Sequence, residues 1–338
     1  MNARPNLTCP NCMHPVALED EDLKCGTCRF KFSTLGEGII DLRTDPFFDT
    51  LLDVDAYDAG HNVELQSNSL AEWYEKILLD CGLAPSVDHV FEIGAGSGNL
   101  TAGLVRSSFF HSVYSSDLSP AFLALLQRRV GTQPKEHLRL LLLDANQCPF
   151  ADDSFDCVLG HSVLHHVANF ELTVQECVRI TRNGGACVFG EPVFDVAVYT
   201  ALAADLILNL EVAKGEMPKE RRNALRALAE RPSVKLANLI GNRDDLAHIE
   251  DKFMFSIEYM KMLSERVGCS DFKCINLPGP RQLGSTCRQS IERTLRQVDS
   301  DFSFLDDYEF IFTTISRRIG ENMDENGLTA FSYFVFCK

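Results

Sequence analysis

The sequence has few basic residues for its number of acidic ones, and this imbalance limits the partners that it favours. It contains 32 lysine and arginine residues against 48 aspartate and glutamate residues, which gives a formal net charge of −16. A surface of this charge repels nucleic-acid phosphates at long range, although a local basic patch can override the total. The charge therefore disfavours a nucleic-acid partner without excluding one.

Long apolar runs are also missing from the sequence. No stretch approaches the roughly 18 consecutive apolar residues that span a bilayer, and the first residues, MNARPNLTCPNC, contain no apolar signal sequence. We therefore expect no membrane partner and a cytoplasmic protein. With 338 residues, of which 45% are hydrophobic and 24% charged, the chain fits one large α/β domain with additions.

Cysteine is not scarce, and four of the 13 cysteines form a pattern. Cys9 and Cys12, then Cys25 and Cys28, make two C-x2-C pairs separated by twelve residues. Four thiolates at this spacing predict a tetrahedral Zn²⁺ site in a zinc ribbon over residues 1–40. Because sulfur fills every position and leaves none for water, we expect a structural metal. A redox pair of C-x-x-C motifs is the alternative, but no thioredoxin-like βαβ pattern surrounds them.

The stretch VFEIGAGSGNLT, residues 90–101, contains the most informative motif. An apolar strand reaches Glu92, three glycines follow at positions 94, 96 and 98, and a helical segment then opens. Such a turn places free backbone N–H groups at the helix start, and glycine lets a nucleoside-sized ligand lie against the backbone. A dinucleotide fingerprint would need its third glycine at position 99, where asparagine stands.

The E-x-G-x-G-x-G pattern resembles the first motif of class I S-adenosylmethionine-dependent methyltransferases. The stretch PFADDSFD at 149–156 is similar to another stretch typical of that family, in its type 11-like branch. The resemblance implies a Rossmann-like α/β fold with a seven-stranded sheet whose last strand is inserted antiparallel. We expect this domain over residues 88–338, with helical substrate-cap insertions at 193–252 and 279–329. A linker and helical lid at 41–87 would join it to the zinc ribbon.

Acidic residues end the next two predicted strands. Asp117 can accept hydrogen bonds from ribose hydroxyls, and the resemblance implies that Asp144 accepts the adenine amine. Glu92 is expected either to lie ionised near the methionine amine of the cofactor or to order the glycine loop through backbone N–H groups. The predicted cofactor-binding residues are Glu92, Gly94, Ala95, Gly96, Gly98, Asp117, Leu118, Asp144, Ala145 and His161.

Methyl transfer is an in-line displacement that needs positioning and, for some acceptors, a base. The candidate catalytic residues are His161 and His166, after the fourth predicted strand, and Glu191, at the end of the fifth. For His166 the alternative is packing beside the cofactor. For Glu191 it is a hydrogen-bonded carboxylate at a strand end.

The function expected first is O- or N-methylation of a small-molecule acceptor, in secondary metabolism. No asparagine-proline-proline-tyrosine motif follows the fourth strand, where GHSV stands at 160–163. The alternatives are an RNA methyltransferase that grips RNA with its zinc ribbon, and a non-catalytic cofactor-binding scaffold. The apolar helix predicted in the first insertion would be buried, roof the active site or pair with another subunit, so a homodimer is a further expectation.

Overall fold

The computed structural model describes residues 5–16, 23–36, 38–43, 53–60, 63–131, 133–134, 136–215, 217–241, 243, 246, 248–276, 283–322 and 328–338. The strands are β1 Leu7–Thr8, β2 Pro15–Val16, β3 Ser33–Leu35, β4 Ile39–Asp41, β5 Val87–Ile93, β6 Phe110–Asp117, β7 Leu138–Leu142, β8 Phe155–His161, β9 Thr181–Pro192, β10 Asp271–Asn276 and β11 Phe331–Cys337. The helices are α1 Val54–Gly60, α2 Val63–Asp80, α3 Thr101–Arg106, α4 Pro120–Val130, α5 Phe170–Ile180, α6 Phe194–Lys214, α7 Lys219–Ile240, α8 Ile257–Arg266, α9 Leu283–Leu295 and α10 Glu309–Asn322.

The chain divides into two compact units. The first comprises Met1–Gly190, Lys261–Lys273 and Phe334–Lys338, and the second comprises Glu191–Met260 and Cys274–Tyr333. Both segments predicted as insertions contribute to the second unit.

The predicted Rossmann-like α/β sheet is confirmed. Its strands lie in the order β10-β11-β9-β8-β5-β6-β7-β4-β3, and β5, β6, β7, β8 and β9 pair in parallel. The central strands β5, β6 and β8 are mostly buried, as expected where both faces of a parallel sheet are covered. Gly184 N–H bonds the carbonyl of Lys338 while Val193 N–H bonds that of Ala330, so β11 runs antiparallel to β9 as predicted.

Among the described residues the sheet has nine strands rather than the predicted seven, because the end of the N-terminal segment joins it. β4 pairs in parallel with β7, with Ile40 opposite Leu141, and β3 pairs antiparallel with β4. Ile39 and Ile40 are 2% and 5% exposed. The sequence pattern predicts a strand here but cannot show which open edge of a sheet will accept it.

The first residues also bond to the first unit. The N–H of Thr8 donates to the carbonyl of Pro149 over 2.7 Å, and the N–H of Ala151 donates to the carbonyl of Asn6 over 2.9 Å. The ribbon is therefore attached at two places, through β4 and through the residues just before Cys9.

β9 is longer than the sequence predicts. We expected a turn at 183–185 and a strand from Ala186, whereas the strand runs from Thr181 through the turn residues. Its pairing with β8 shifts register between Phe155 and Cys157, and Gly184 has a φ of +78°. An irregularity inside one strand therefore takes the place of a separate turn.

The second unit has its own apolar core, formed by one face each of α6, α7, α9 and α10. Ala204, Ile207, Leu225 and Ile291 lie completely buried in it. Within the described part of the chain, α6 is the one helix long and apolar enough to cross a bilayer by length and composition. One of its faces packs into this core, and the other exposes apolar side chains such as Val198, Leu202 and Leu206.

Candidate functional site

Most of the predicted cofactor-binding residues lie at one edge of the sheet, at the carboxyl ends of β5, β6, β7 and β8. The strands that lead there are buried, but the residues at their ends are partly exposed. These partly exposed residues are Gly94, Gly96, Asp117, Leu118, Asp144, Ala145 and His161. This is the edge at which open α/β sheets bind their ligands.

The glycine loop uses its glycines for two different purposes. Gly94, with a φ of +63°, packs so closely that an added Cβ would lie 2.2 Å from Cγ2 of Val163. A Cβ on Gly96, with a φ of +51°, would meet no atom of the described residues within 4 Å. The first glycine therefore lets the loop pack against the sheet, and the second leaves an open stretch of backbone for a ligand.

Asp117 lies directly against this loop. Its Oδ2 accepts a hydrogen bond from the N–H of Gly96, and its Oδ1 accepts one from the N–H of Ser119, both over 2.8 Å. A carboxylate oxygen has more than one acceptor site, so Asp117 can hold the loop and still bind a ligand hydroxyl. Ser119 occupies the N-cap position of α4, although its hydroxyl makes no capping bond with a described residue.

The side chain of Asp144 is oriented by its neighbours. Its Oδ1 accepts hydrogen bonds from the N–H and the Nδ2 of Asn146, both over 2.9 Å. Thr173 in turn donates to Oδ1 of Asn146 over 3.0 Å. The described residues donate no hydrogen bond to Oδ2 of Asp144, which makes it an acceptor available to a ligand. Thr173 escaped the sequence analysis because nothing in the local pattern links it to a residue 27 positions away.

Glu92 differs from both aspartates because it is buried beneath the loop. It is 2% exposed, and its Oε2 accepts hydrogen bonds from the hydroxyls of Thr101 and Ser115, each over 2.6 Å. Burial raises the pKa of Glu92 to about 7, against the lowering effect of these two hydroxyls. These contacts join Glu92 to the first residue of α3 and to β6, whereas the sequence prediction was a contact with backbone N–H groups of the glycine loop.

Several buried polar atoms near the loop have no protein partner. Ser97 Oγ, Asn99 Oδ1 and Ser119 Oγ are buried and make no hydrogen bond with any described residue. Buried polar groups are nearly always satisfied, so such a group calls for a ligand or an ordered water. Their position at the ends of β5 and β6 supports a polar ligand at this edge of the sheet.

His161, the last residue of β8, is partly exposed and contacts α2. The phenol oxygen of Tyr74 lies 3.3 Å from Nδ1 of His161 and 2.6 Å from the carbonyl oxygen of Gly160. Ser162 follows with a φ of +55°, unusual for a residue with a side chain. Strained backbone of this kind is frequent at functional sites. Sequence reasoning missed Tyr74, because it is 87 residues away from His161 in the chain.

His166 and Glu191 are placed differently. His166 is partly exposed, at the end of a short 3-10 turn, and its ring centroid lies 4.0 Å from that of the buried His165. Glu191 is 0% exposed and belongs to the second compact unit. Complete burial agrees with the alternative of a strand-end carboxylate.

The four N-terminal cysteines form a cluster. The Sγ atoms of Cys9 and Cys28 are 3.5 Å apart, as are those of Cys12 and Cys25. All four sulfur atoms lie within 4.8 Å of one another. A tetrahedral zinc site, with Zn–S bonds of about 2.3 Å, places its sulfurs about 3.8 Å apart. The donor set and its spacing therefore fit Zn²⁺.

The two C-x2-C pairs adopt the same turn. The residue after each second cysteine, Met13 or Arg29, has a left-handed backbone, with φ of 60° and 61°. The N–H of Met13 bonds the carbonyl of Cys9 over 2.8 Å, and that of Arg29 bonds the carbonyl of Cys25 over 2.9 Å. A left-handed backbone in two residues with side chains costs free energy. The repetition indicates that the two C-x2-C pairs form matched turns.

Comparisons with known proteins identify the domain to which this site belongs. Residues 91–189 match the family described as a methyltransferase domain. The chain is similar to the demethylmenaquinone methyltransferase of Symbiobacterium thermophilum, with 28% identity over 131 residues, covering 38% of this chain and 51% of the relative. It is also similar to the malonyl-(acyl-carrier protein) O-methyltransferase of Halorhodospira halophila, with 32% identity over 100 residues, covering 30% of this chain and 33% of the relative.

These matches span about half or less of the length of the two curated relatives. Among solved structures, phosphoethanolamine N-methyltransferase 2 of Haemonchus contortus in complex with S-adenosyl-L-methionine superimposes with a TM-score of 0.44 and 14% identity, covering 78% of this chain and 52% of that one. The family match covers β5 to β9, the part of the sheet that carries the glycine loop, Asp117 and Asp144. Residues 91–189 therefore belong to a class I S-adenosylmethionine-dependent methyltransferase domain.

Proposed function

We propose that this chain transfers the methyl group of S-adenosylmethionine to an oxygen or nitrogen atom of a small-molecule acceptor. The observation that carries the proposal is the contact between Asp117 and the open glycine loop, where the Asp117 carboxylate accepts the N–H of Gly96 over 2.8 Å. A sugar acceptor and an open stretch of backbone thus lie side by side at the ligand-binding edge of the sheet.

The residues at this edge fit the donor. Asp117 would accept hydrogen bonds from the ribose hydroxyls, and the available Oδ2 of Asp144 would accept the adenine amine. Leu118 and Ala145, both partly exposed, would flank the nucleoside, and Gly96 would lie against it without steric obstruction. When bound, the donor supplies a methyl group activated by a positively charged sulfur.

The protein has little covalent chemistry to perform in such a transfer. It must hold the acceptor atom on the axis of the breaking bond and exclude water from the site. An acceptor with an O–H or N–H group also needs to lose a proton, and His161 is the partly exposed base candidate closest to the end of β8. We keep the proposal that the insertions, which form a compact unit with its own core, select the acceptor.

A small-molecule acceptor is supported by the formal net charge of −16. A nucleic acid binds largely through its phosphates, and a strongly acidic protein opposes that contact. The name of one curated relative gives demethylmenaquinone as its acceptor, and the name of the other gives malonyl groups on a carrier protein. Neither acceptor is a nucleic acid, which supports the same choice for this chain.

We propose in addition that Cys9, Cys12, Cys25 and Cys28 hold one structural Zn²⁺. Four sulfurs leave no position for a reacting water, so the ion would stabilise the fold and take no part in the transfer. Elemental analysis of the purified protein should find one equivalent of zinc. If the protein is produced in zinc-supplemented medium and still contains much less than one equivalent of zinc, the proposal is contradicted.

The experiment that tests the function has two stages. Titration calorimetry first measures the binding of S-adenosylmethionine and of S-adenosylhomocysteine, its demethylated product. The protein is then incubated with donor carrying a labelled methyl group and with separate pools of small metabolites, RNA and protein. We expect donor binding and label in the metabolite pool. Label in RNA alone would replace the proposal with the RNA alternative, and binding without transfer to any pool would favour the scaffold.

A further inference from the structure

The contact between α2 and the end of β8 assigns a role to a residue outside the family match. Tyr74 is 0% exposed, and its phenol oxygen lies 2.6 Å from the carbonyl oxygen of Gly160. The same phenol oxygen lies 3.3 Å from Nδ1 of His161. One hydroxyl therefore contacts both the final residue of β8 and the carbonyl that precedes it.

The number of protons on these groups determines which atom donates in each contact. A carbonyl oxygen can only accept, so two oxygens 2.6 Å apart require the phenol proton to lie between them. Tyr74 has a single hydroxyl proton, and the contact with Gly160 uses it. The phenol oxygen then has lone pairs to offer Nδ1, and the 3.3 Å contact is a hydrogen bond when His161 carries its ring proton on that nitrogen.

The surrounding structure holds the imidazole in this orientation. The rings of Tyr74 and His161 pack edge to face, with centroids 6.2 Å apart and an interplanar angle of 74°. On the other side, the N–H of Ser162 donates to the carbonyl of Gly190 over 2.8 Å and holds the backbone where its φ is +55°. The ring is thus constrained by a side chain from α2 and by the backbone that follows it.

We propose that Tyr74 is a positioning residue that keeps neutral His161 in the Nδ1–H tautomer, so that Nε2 is the nitrogen that takes a proton from the acceptor. This role rests on the proposed function. As the acceptor atom bonds the methyl carbon, the electron pair of the carbon–sulfur bond stays on sulfur and the acceptor proton moves to Nε2. Acceptors that lose an O–H or N–H proton are the class that requires it.

The tautomer can be measured without any methyl transfer. The protein is labelled with ¹⁵N-histidine, and long-range proton–nitrogen correlation spectra are recorded at a pH where the rings are neutral. The chain has nine histidines, and the spectrum of His161→Gln assigns the resonances of His161 by their loss. In the wild type we expect a protonated, pyrrole-type Nδ1 and an unprotonated, pyridine-type Nε2.

Tyr74→Phe keeps the buried ring and removes only the hydroxyl. We expect it to shift His161 toward the Nε2–H tautomer and to lower kcat about tenfold, less than the roughly 10²- to 10⁴-fold loss expected for His161→Gln. The affinity for the donor should not change. The matched control is Tyr114→Phe, which removes a hydroxyl from another buried tyrosine of the first unit and should leave the His161 resonances in place.

Two results would overturn the proposal. One is a wild-type spectrum in which His161 is protonated on Nε2, a result that does not depend on whether any variant folds. The other is a folded Tyr74→Phe protein with the wild-type tautomer. Failure of the proposed function would look different, because the tautomer would be as expected while the donor did not bind or no acceptor was methylated.

Discussion

At the scale of single residues, the carboxylates of Glu92 and Asp117, at the ends of the neighbouring strands β5 and β6, lie in different environments. Asp117 is partly exposed and accepts backbone N–H groups, which favour its charged form. Glu92 is buried, and its pKa is raised to about 7 mainly because burial penalises the charge. Asp117 is therefore suited to bind ligand hydroxyls, and Glu92 joins the start of α3 to β6.

Asp117→Ala should weaken the binding of S-adenosylmethionine by about 1–3 kcal/mol, because a charged hydrogen-bond acceptor is lost. Titration calorimetry measures this change. Asp307→Ala is the control, since its side chain is 72% exposed in the second unit and its removal should leave donor affinity unchanged. Equal donor affinity in Asp117→Ala and the wild type would remove the proposed ribose contact.

Glu92 makes a pH-dependent contribution to stability with a defined sign. Its pKa is raised in the folded protein, so the folded state binds the proton more tightly than the unfolded state does. The contribution is fully present below the unfolded pKa of about 4.5 and is lost as the pH rises through about 7. A shift of this size corresponds to about 3 kcal/mol of unfolding free energy across that window.

Glu92→Gln should abolish this contribution, because the amide oxygen can still accept from the hydroxyls of Thr101 and Ser115 but no longer titrates. We expect the variant to be at least as stable as the wild type at pH 8, and the difference between them to change by about 1–3 kcal/mol between pH 5 and pH 8. Urea unfolding at several pH values measures it. Glu309→Gln, at an exposed position, should keep the wild-type dependence of the unfolding free energy on pH. The same dependence in Glu92→Gln would show that groups other than Glu92 cause it.

At the scale of elements, the glycine loop combines a packing position with a binding position. Gly94 lies against Val163, the residue two positions beyond the end of β8, whereas Gly96 is open. The loop thus packs against Val163 at Gly94 and exposes its backbone at Gly96. Stability and donor binding should therefore respond differently to the same substitution at the two positions.

Gly94→Ala should lower the free energy of unfolding by about 2–4 kcal/mol, because its Cβ overlaps Val163 and its φ is positive. Gly96→Ala should cost only about 1–2 kcal/mol for the positive φ but should weaken donor binding more than it weakens folding. Chemical denaturation and calorimetry on both variants give the comparison. Equal effects of the two substitutions on folding and on donor binding would contradict this division.

The strands of this sheet can mostly be predicted from the local sequence. Where the observed strands differ from the prediction, contacts between distant parts of the chain are the cause. Apolar runs that end in an acid or a glycine mark β5, β6 and β8 within one or two residues of their observed ends. The start of β9 was placed too late, because Gly184 and Gly185 are typical of a turn. Here pairing with neighbouring strands holds them inside the strand instead.

At the scale of the whole molecule, the cysteine cluster and the nucleotide-binding part of the sheet lie in one compact unit. The N–H of Leu42 donates to the carbonyl of Leu142 over 2.8 Å, which continues the pairing of β4 with β7. Asp144 follows β7 by two residues. The segment that contains the cysteine cluster therefore pairs with an edge of the sheet close to a proposed donor contact.

Cys12→Ser should release the metal and destabilise the strands attached to the ribbon. We expect a loss of about 2–4 kcal/mol in unfolding free energy, because buried residues of β4 become exposed. Amide hydrogen exchange should rise in β4 and β7 while β8 stays protected. Cys269→Ser, outside the cluster, is the control. Unchanged exchange in β7 after metal loss would show that the ribbon and the sheet fold independently.

The sequence by itself determined the fold class, the order of the strand ends and the cysteine cluster, because each depends on contiguous residues or on a fixed short spacing. The tertiary structure alone decided which distant side chains reach those positions: Tyr74 at His161 across 87 residues, Thr173 at Asn146 across 27, and β4 at the edge beside β7. Such contacts depend on how helices pack on the sheet and on which edge is open. Local periodicity contains no information about either, since it reports only which face of an element is buried.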